Sequence, residues 1–337
     1  MSRPHGLLRA GYPYLRTLGM RRVTNFPSDI AFPDGDEMAY ILMRSEGAST
    51  VRIWPVDDAD ALTDDLKGFG SYGTGDGQMV WPVQLITDGN GHLYVSDEAT
   101  HRITKFDKEG EFISRFGTRG DGDGEFNGPT GIAFDPDGNL VVVDSQNHRV
   151  QRYSEDGKYL GGFGSHGTGP GQFDLPWGIH VDELGDIYVA DWGNNRFQVF
   201  SPDGEVKNVV GTSGTGEAEF DRPTGIAVDA HGDIYVADWG NNRVQMFNLE
   251  GHYLWSFRGD ATLSRVARQY MLTNAVSNRL REMGRIEQEK YLRKPRSVRV
   301  DSEFRLFNRV QIYQKDVIEL DRTQYAGPLR NPTLEVT

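Results

Sequence analysis

Four aspartate–arginine pairs stand in one frame: Asp97 with Arg102, Asp144 with Arg149, Asp191 with Arg196, and Asp238 with Arg243, each pair 47 residues after the last. A carboxylate and a guanidinium so placed could serve a site or lock a loop by a salt bridge or backbone clamp. Their recurrence favours the lock, because a residue present at one place in every unit supports every unit. His101 and His148 precede two of these arginines. No third histidine shares their register, so they read as structural rather than metal-binding. Trp192 and Trp239 break the frame, standing where the other units carry Glu98 and Ser145, and two such rings on adjacent loops could form an exposed aromatic patch.

A second set of positions varies more. Prolines recur at 27, 82, 129, 176, 223 and 295, followed by Ser28, Val83, Thr130, Trp177, Thr224 and Arg296. The next residue is glycine in three units but Asp29, Gln84 and Ser297 in the others. Function sits more often where repeats differ than where they agree. The Gly-rich stretches GTGDGQ (73–78), GDGDGEF (120–126) and GTGPGQF (167–173) look like phosphate cradles or calcium loops. No Gly-Lys-Ser/Thr follows them, and they recur at one place in the unit, so turn chemistry explains them.

The elements that carry these residues follow from the period. After each proline come a short apolar run such as GIAVD, a glycine turn, a run such as IYVAD, a loop, then RVQMF, a turn and YLWSF. The runs are short, alternating, and rich in β-branched and aromatic residues, which marks strands. Four strands per unit of this length is the pattern of a propeller blade. Units beginning at Pro82, Pro129, Pro176 and Pro223 are clear, and those at Pro27 and Pro295 are degenerate. The last unit stops after its third strand, while residues 12–19 (YPYLRTLG) have the look of a fourth. The expectation is an all-β, six-bladed β-propeller over residues 1–316. The N-terminal strand closes the last blade, so that no sheet edge is left open.

Residues 128–150, GPTGIAFDPDGNLVVVDSQNHRV, resemble the NHL-repeat family, and the resemblance extends over roughly residues 12–316. It is specific for fold and says little about function. Relatives of this kind include RNA-binding modules, sensor domains, scaffolds and a zinc lyase acting on peptidyl-hydroxyglycine, and other six-bladed propellers are calcium lactonases. The zinc lyase carries histidines around its channel, some just after the blade-opening proline. This chain has none there, since His180 lies further along in PWGIH, which removes the basis for a three-histidine zinc site.

In a closed ring, units six, one and two are neighbours. Asp29, Gln84 and Arg296 then form a polar cluster at the channel mouth, with Trp177 across from it, and a channel mouth is the default ligand site. Asp29, Gln84, Trp177, Trp192, Trp239 and Arg296 are the candidate ligand-binding residues. Asp29 and Arg296 are the catalytic candidates. A calcium or other divalent ion in the channel would have Asp29 and Gln84 as oxygen ligands, which is too few to define a site. No metal ligand is assigned, and no cofactor.

The interval from Pro223 to Pro295 is longer than the others. Within 260–294, Leu263, Val266, Tyr270, Val276, Leu280, Met283 and Ile286 follow helical spacing, so a basic helical insertion between blades five and six is expected on the face of the DWGNNR loops. It would act as a cap, a lid, or a docking surface for an acidic partner or membrane. The sixth unit aligns with the fifth only if about six loop residues are absent, and residues 317–337 read as an extended tail.

The net charge of −13 argues against nucleic acid and anionic lipid as main partners, leaving the basic insertion as the one route to a membrane. There are no cysteines, which excludes disulfides and thiolate chemistry. With neither an apolar run of spanning length nor a signal peptide, a cytoplasmic location is expected. Two functions stay open. One is a propeller that binds a protein, peptide or small-molecule ligand, or acts as a scaffold, through the face carrying the insertion. The other is a lyase or hydrolase at the channel mouth using Arg296, Asp29 and one divalent ion.

Overall fold

The computed structural model describes residues 6–11, 14–17, 27–33, 37–44, 50–55, 67–258, 292, 294–300, 305–308, 311–314 and 316–320. Five blades are each built from four consecutive antiparallel strands. In blade four these are Pro176–Val181, Ile187–Asp191, Arg196–Phe200 and Val206–Val210. The second and third strands of blades four and five are buried on both faces, as their continuous apolar runs require, whereas the fourth strands are partly exposed. The turn after each inner strand is built on an aspartate. The Asp135 side chain accepts the amides of Asp137 and Asn139, Asp182 those of Leu184 and Asp186, and Asp229 those of His231 and Asp233. Gly138, Gly185 and Gly232 take the left-handed conformation that completes the turn.

The sequence expectation of six blades with a helical insertion is corrected here. Consecutive strands build five blades, and the remaining four-stranded sheet is a composite of both chain ends. It is formed by Arg299–Val300, Arg305–Asn308, Gln311–Gln314 and Tyr14–Thr17. No α-helix occurs among the described residues, whose one helical element is the 3₁₀ turn Ser145–Asn147. Helical spacing of apolar residues shows a pattern only, since helical stability in a protein comes mainly from packing. Residues 259–291 lie outside the described residues. Their two ends are pinned together: the Leu292 amide donates to the Arg258 carbonyl at 2.8 Å, and Leu292 is buried beside Phe257 and Val298. The connector thus leaves and rejoins the propeller at one point.

The core lies in the seams between neighbouring sheets. Between blades four and five, Phe197, Phe220 and Phe247 pack with ring centroids 5.3–6.2 Å apart. All three are fully buried, and each ring contributes about 2–3 kcal/mol by removal from water. Val298 and Val300 of the composite sheet pack on blade five, and Phe307 packs on Ile30, Ile41 and Trp54 of blade one. Tyr14–Thr17 pairs with Gln311–Gln314. A further ribbon, not anticipated from the sequence, joins Gly6–Gly11 to Asp316–Leu320. The rest of the tail lies outside the described residues.

The repeated aspartates and arginines lock the loops. Asp191 accepts the Asp174 amide at 2.8 Å, the Arg196 Nε at 2.8 Å, and the side chains of Asn194 and Gln198. Arg196 then donates to the carbonyls of Thr168, Gly169 and Gln172 in the Gly-rich connector from the preceding blade. Blades three and five repeat this through Asp144–Arg149 and Asp238–Arg243, each pair at 2.8 Å. Blade two departs from the expected pairing. Arg102 bonds the carbonyls of Thr74, Gly75 and Gln78, while Asp97 takes the amides of Val80, Trp81, Ala99 and Thr100. Burial pushes the carboxyls of Asp144, Asp191 and Asp238 up, against the pull of these hydrogen bonds.

Two outcomes follow from this packing. Arg243→Ala leaves a buried carboxylate uncompensated, so chemical denaturation should show a loss of about 3 kcal/mol. An unchanged midpoint would mean that the clamp contributes nothing. Deleting residues 1–17 bares the edge of Gln311–Gln314, and should lower the melting temperature and promote self-association seen by light scattering. A monomer of unchanged stability would show the N-terminal strand to be dispensable.

Candidate functional site

The inner strands surround a central cavity whose lining includes Asp29, Gln84, Trp177, Arg296 and Arg299. Four of the six residues singled out from the sequence therefore meet there. Asp29 and Gln84 are not free, however. Asp29 Oδ2 accepts the Leu85 amide at 3.0 Å and Arg299 Nη2 at 2.6 Å, and Gln84 Oε1 accepts the Ile132 amide at 2.9 Å. Both side chains reach to the next blade's inner strand. Blades three to five have Gly131, Gly178 and Gly225 at this position, and there the neighbouring backbone comes too close for a side chain. A Cβ on Gly131 would stand 2.6 Å from the Trp177 carbonyl oxygen. Asp29 and Gln84 thus bridge where the backbones do not touch. Their bonded oxygens face amides rather than a common point, and of the two carboxylate oxygens only Asp29 Oδ1 is buried without a partner among the described residues. That donor set fits a calcium ion poorly.

Three hydroxyls near the mouth are also engaged. Ser28 donates to the Leu42 carbonyl, Thr130 to that of Trp177, and Thr224 to that of Pro295. His180 is pushed down to about 3 by burial and then by the Arg299 guanidinium, so it is neutral at physiological pH. Burial lowers Arg296, against the attraction of Glu98. Burial raises the Glu98 carboxyl, against Arg44 and Arg296. The attraction of Glu98 for both Arg44 and Arg296 was not evident from the sequence, because the three residues are far apart along the chain.

Trp192 and Trp239 lie outside the cavity, on the rim. Arg222 stands between them, 5.3 Å from one ring and 5.7 Å from the other, and Lys294 lies 4.3 Å from the Trp239 ring. Arg44 stacks at 4.7 Å on Trp81, which is 47% exposed. The sequence signal for these partners was the residue just before each blade-opening proline: Trp81, Arg222 and Lys294 all occupy it.

The same position carries a latch between blades. The amides of Gly128, Leu175, Arg222 and Lys294 donate to His101 Nδ1, His148 Nδ1, Asn195 Oδ1 and Asn242 Oδ1, at 2.8–3.1 Å. All four acceptor residues have φ between 53° and 56°, a left-handed conformation that asparagine and histidine tolerate.

A family model described as a 6-bladed beta-propeller (DUF5128) matches residues 73–162, and the NHL repeat model matches residues 173–200 and 220–247. The chain carries NHL repeats. Protein lin-41 of Caenorhabditis elegans is 36% identical over 58 residues, which span 17% of this chain and 5% of that protein. Among solved structures, a catalytically inactive virginiamycin B lyase from Staphylococcus aureus with quinupristin superposes with a TM-score of 0.57 at 13% identity, covering 92% of this chain and 88% of that one. A putative gluconolactonase gives 0.58 at 16%, covering 93% and 96%, and a nidogen/laminin complex gives 0.51 at 20%, covering 68% and 79%. At these identities the likeness is one of fold. Among the described residues of the NHL propeller, no helix is long and apolar enough to cross a membrane.

The latch yields a pH prediction. Burial, and then Arg119, hold the His101 imidazole below its ordinary value, although Asp97 and Asp144 pull it up. A depressed histidine adds stability above its ordinary pKa of about 6.5, and that stability is lost as pH falls from there toward the folded value. His101→Asn supplies the acceptor used in blades four and five without a titrating ring. The variant should lose less melting temperature than the parent between pH 7.5 and 5.5. Parallel curves would remove His101 from the account.

Proposed function

We propose that this NHL propeller is a binding module, and that its recognition surface is the rim and mouth on the loop face. The occupant is an extended polypeptide segment bearing carboxylates. One observation carries the reading. The repeated polar residues are spent holding blades together, while the unrepeated ones converge on this face as alternating tryptophans and cations. A guanidinium stacked on an indole still presents its in-plane N–H groups to a carboxylate. Tryptophan and arginine dominate binding hot spots for this reason. The chain as a whole is acidic, with a net charge of −13, but at physiological ionic strength fields fade over about 8 Å. A partner on the rim therefore meets the local cations first.

The enzymatic alternative has less support. Asp29 is tied to Arg299 and Leu85, the Ser28 and Thr130 hydroxyls donate to carbonyls, and neither arrangement activates a nucleophile. A chain of a nidogen/laminin complex shares this fold, which supports a reading in which the propeller holds another protein.

The test is fluorescence anisotropy with a labelled library of extended Asp/Glu-rich peptides. Bound members should lose about tenfold or more in affinity with Trp192→Ala/Trp239→Ala, which corresponds to at least one hot-spot residue. Binding should also weaken with added salt, and the melting temperature should stay unchanged. Full affinity in the double variant would overturn the assignment of the rim.

A further inference from the structure

A second cluster of ligating side chains lies away from the mouth, at the junction of blades three and four. His148 comes from the loop between the second and third strands of blade three. His166 and Asp174 come from the Gly-rich connector that follows that blade. The ligand atoms of the three residues lie within 4.8 Å of one another. Asp174 Oδ1 is 3.8 Å from His148 Nδ1 and 3.8 Å from His166 Nε2, and the imidazole centroids are 4.4 Å apart.

The repeat itself shows that this grouping is not general architecture. At the junction of blades two and three the same positions hold His101, Arg119 and Asn127. At the junction of blades four and five they hold Asn195, Ser213 and Asp221. A histidine in the latch slot meets a second histidine and a carboxylate at this junction alone among the three.

We propose that His148, His166 and Asp174 form a binding site for a first-row transition-metal ion of the zinc class, open on its remaining positions to water or to a side chain of a bound protein. Two imidazole nitrogens and one carboxylate oxygen are the donors such ions take, and magnesium and calcium do not favour them. With metal–ligand bonds of ~2.0–2.1 Å, neighbouring tetrahedral ligands stand about 3.4 Å apart. Closing both 3.8 Å separations takes small movements of Asp174 and of His166, whose side chain is 69% exposed. His148 Nδ1 accepts the Leu175 amide at 3.1 Å, and a neutral imidazole has one lone pair. Coordination by His148 therefore exchanges that latch bond for a bond to the metal. His166 and Asp174 make the first contact, and His148 completes the set. The Asp174 carbonyl accepts the Gly193 amide, next to Trp192, so the site borders the rim without sharing a ligand with it.

The cluster at Asp88, His92 and Glu155 does not carry the same inference, because Lys105 already bonds Glu155 at 2.7 Å and stands 3.9 Å from Asp88.

The experiment is isothermal titration of the full chain with zinc and nickel, with magnesium and calcium as controls, alongside thermal melting. The parent should bind about one zinc ion per chain and melt higher with it, while magnesium and calcium should do neither. His166→Ala and Asp174→Asn should bind about tenfold or more weakly, as losses around a metal do. His148→Asn keeps an acceptor for Leu175 and removes the third ligand, so it should melt like the parent without metal yet lose the zinc-induced rise. Absence of stoichiometric uptake by the parent at 0.1 mM zinc (an order-of-magnitude ceiling for a three-ligand site, ~10⁻⁴ M) would overturn the proposal. Parent-like affinity in both His166→Ala and Asp174→Asn would overturn it equally. None of these outcomes bears on peptide binding at the rim.

Discussion

The buried carboxylate at the end of the second strand is the constraint on which most of the loop face depends. Asp144, Asp191 and Asp238 are shut off from water, and a buried carboxylate must be surrounded by donors. Its own blade cannot supply them all. One comes from an amide of the incoming connector, just ahead of the blade's own inner strand: Asn127, Asp174 or Asp221. Another is the arginine that also grips the connector. Satisfying one charge therefore fixes the path of the chain between blades. That path sets the residue before each proline, where Trp81, Arg222 and Lys294 of the stacked pairs stand. Such a network is a weak source of net stability, because desolvation offsets much of its attraction. Its value lies in excluding other loop conformations.

The strand pattern and the blade period were legible in the sequence because both rest on local rules. Two-residue alternation, aspartate turns with left-handed glycines, and a fixed 47-residue frame leave few alternatives. The contact of the last strands with blade one was less legible, since it depends on residues at opposite chain ends. The helical reading of 260–294 rested on periodicity alone, and residues 259–291 lie outside the described residues. At the mouth, spacing brought Asp29, Gln84, Trp177 and Arg296 together as the topology does, but it could not show how they are used. Asp29 and Gln84 look like site residues because they replace glycine. The structure gives the reason: they span a gap that the three glycine positions close by direct backbone approach. Arg299, which holds Asp29, had no signal because no residue at its register resembles it.

Departure from the repeat thus has two causes, and they separate by partner. Where the unrepeated side chain bonds the neighbouring backbone, as Asp29 and Gln84 do, it compensates for local geometry. Where it meets other unrepeated side chains, as Arg222 meets Trp192 and Trp239, or His166 meets His148 and Asp174, the fold does not require it. Trp192 and Trp239 are half-buried rather than an exposed patch, and both rings lie against the Arg222 guanidinium.

The composite sheet adds the last asymmetry. In blade five the pair Val236–Gln245 is followed by a further eight residues of strand and loop before the chain returns. The corresponding pair in the composite sheet, Asn308–Gln311, encloses two residues. The aspartate and most of the loop have no counterpart in the sequence there, whereas Arg309 stands in the register of Arg243. Arg296, two residues after Lys294, enters the cavity lining together with Arg44, which stacks on Trp81. The sheet that departs from the common loop is thus also the one that places a cation directly after the blade-opening proline, where the other five sheets carry Ser28, Val83, Thr130, Trp177 and Thr224.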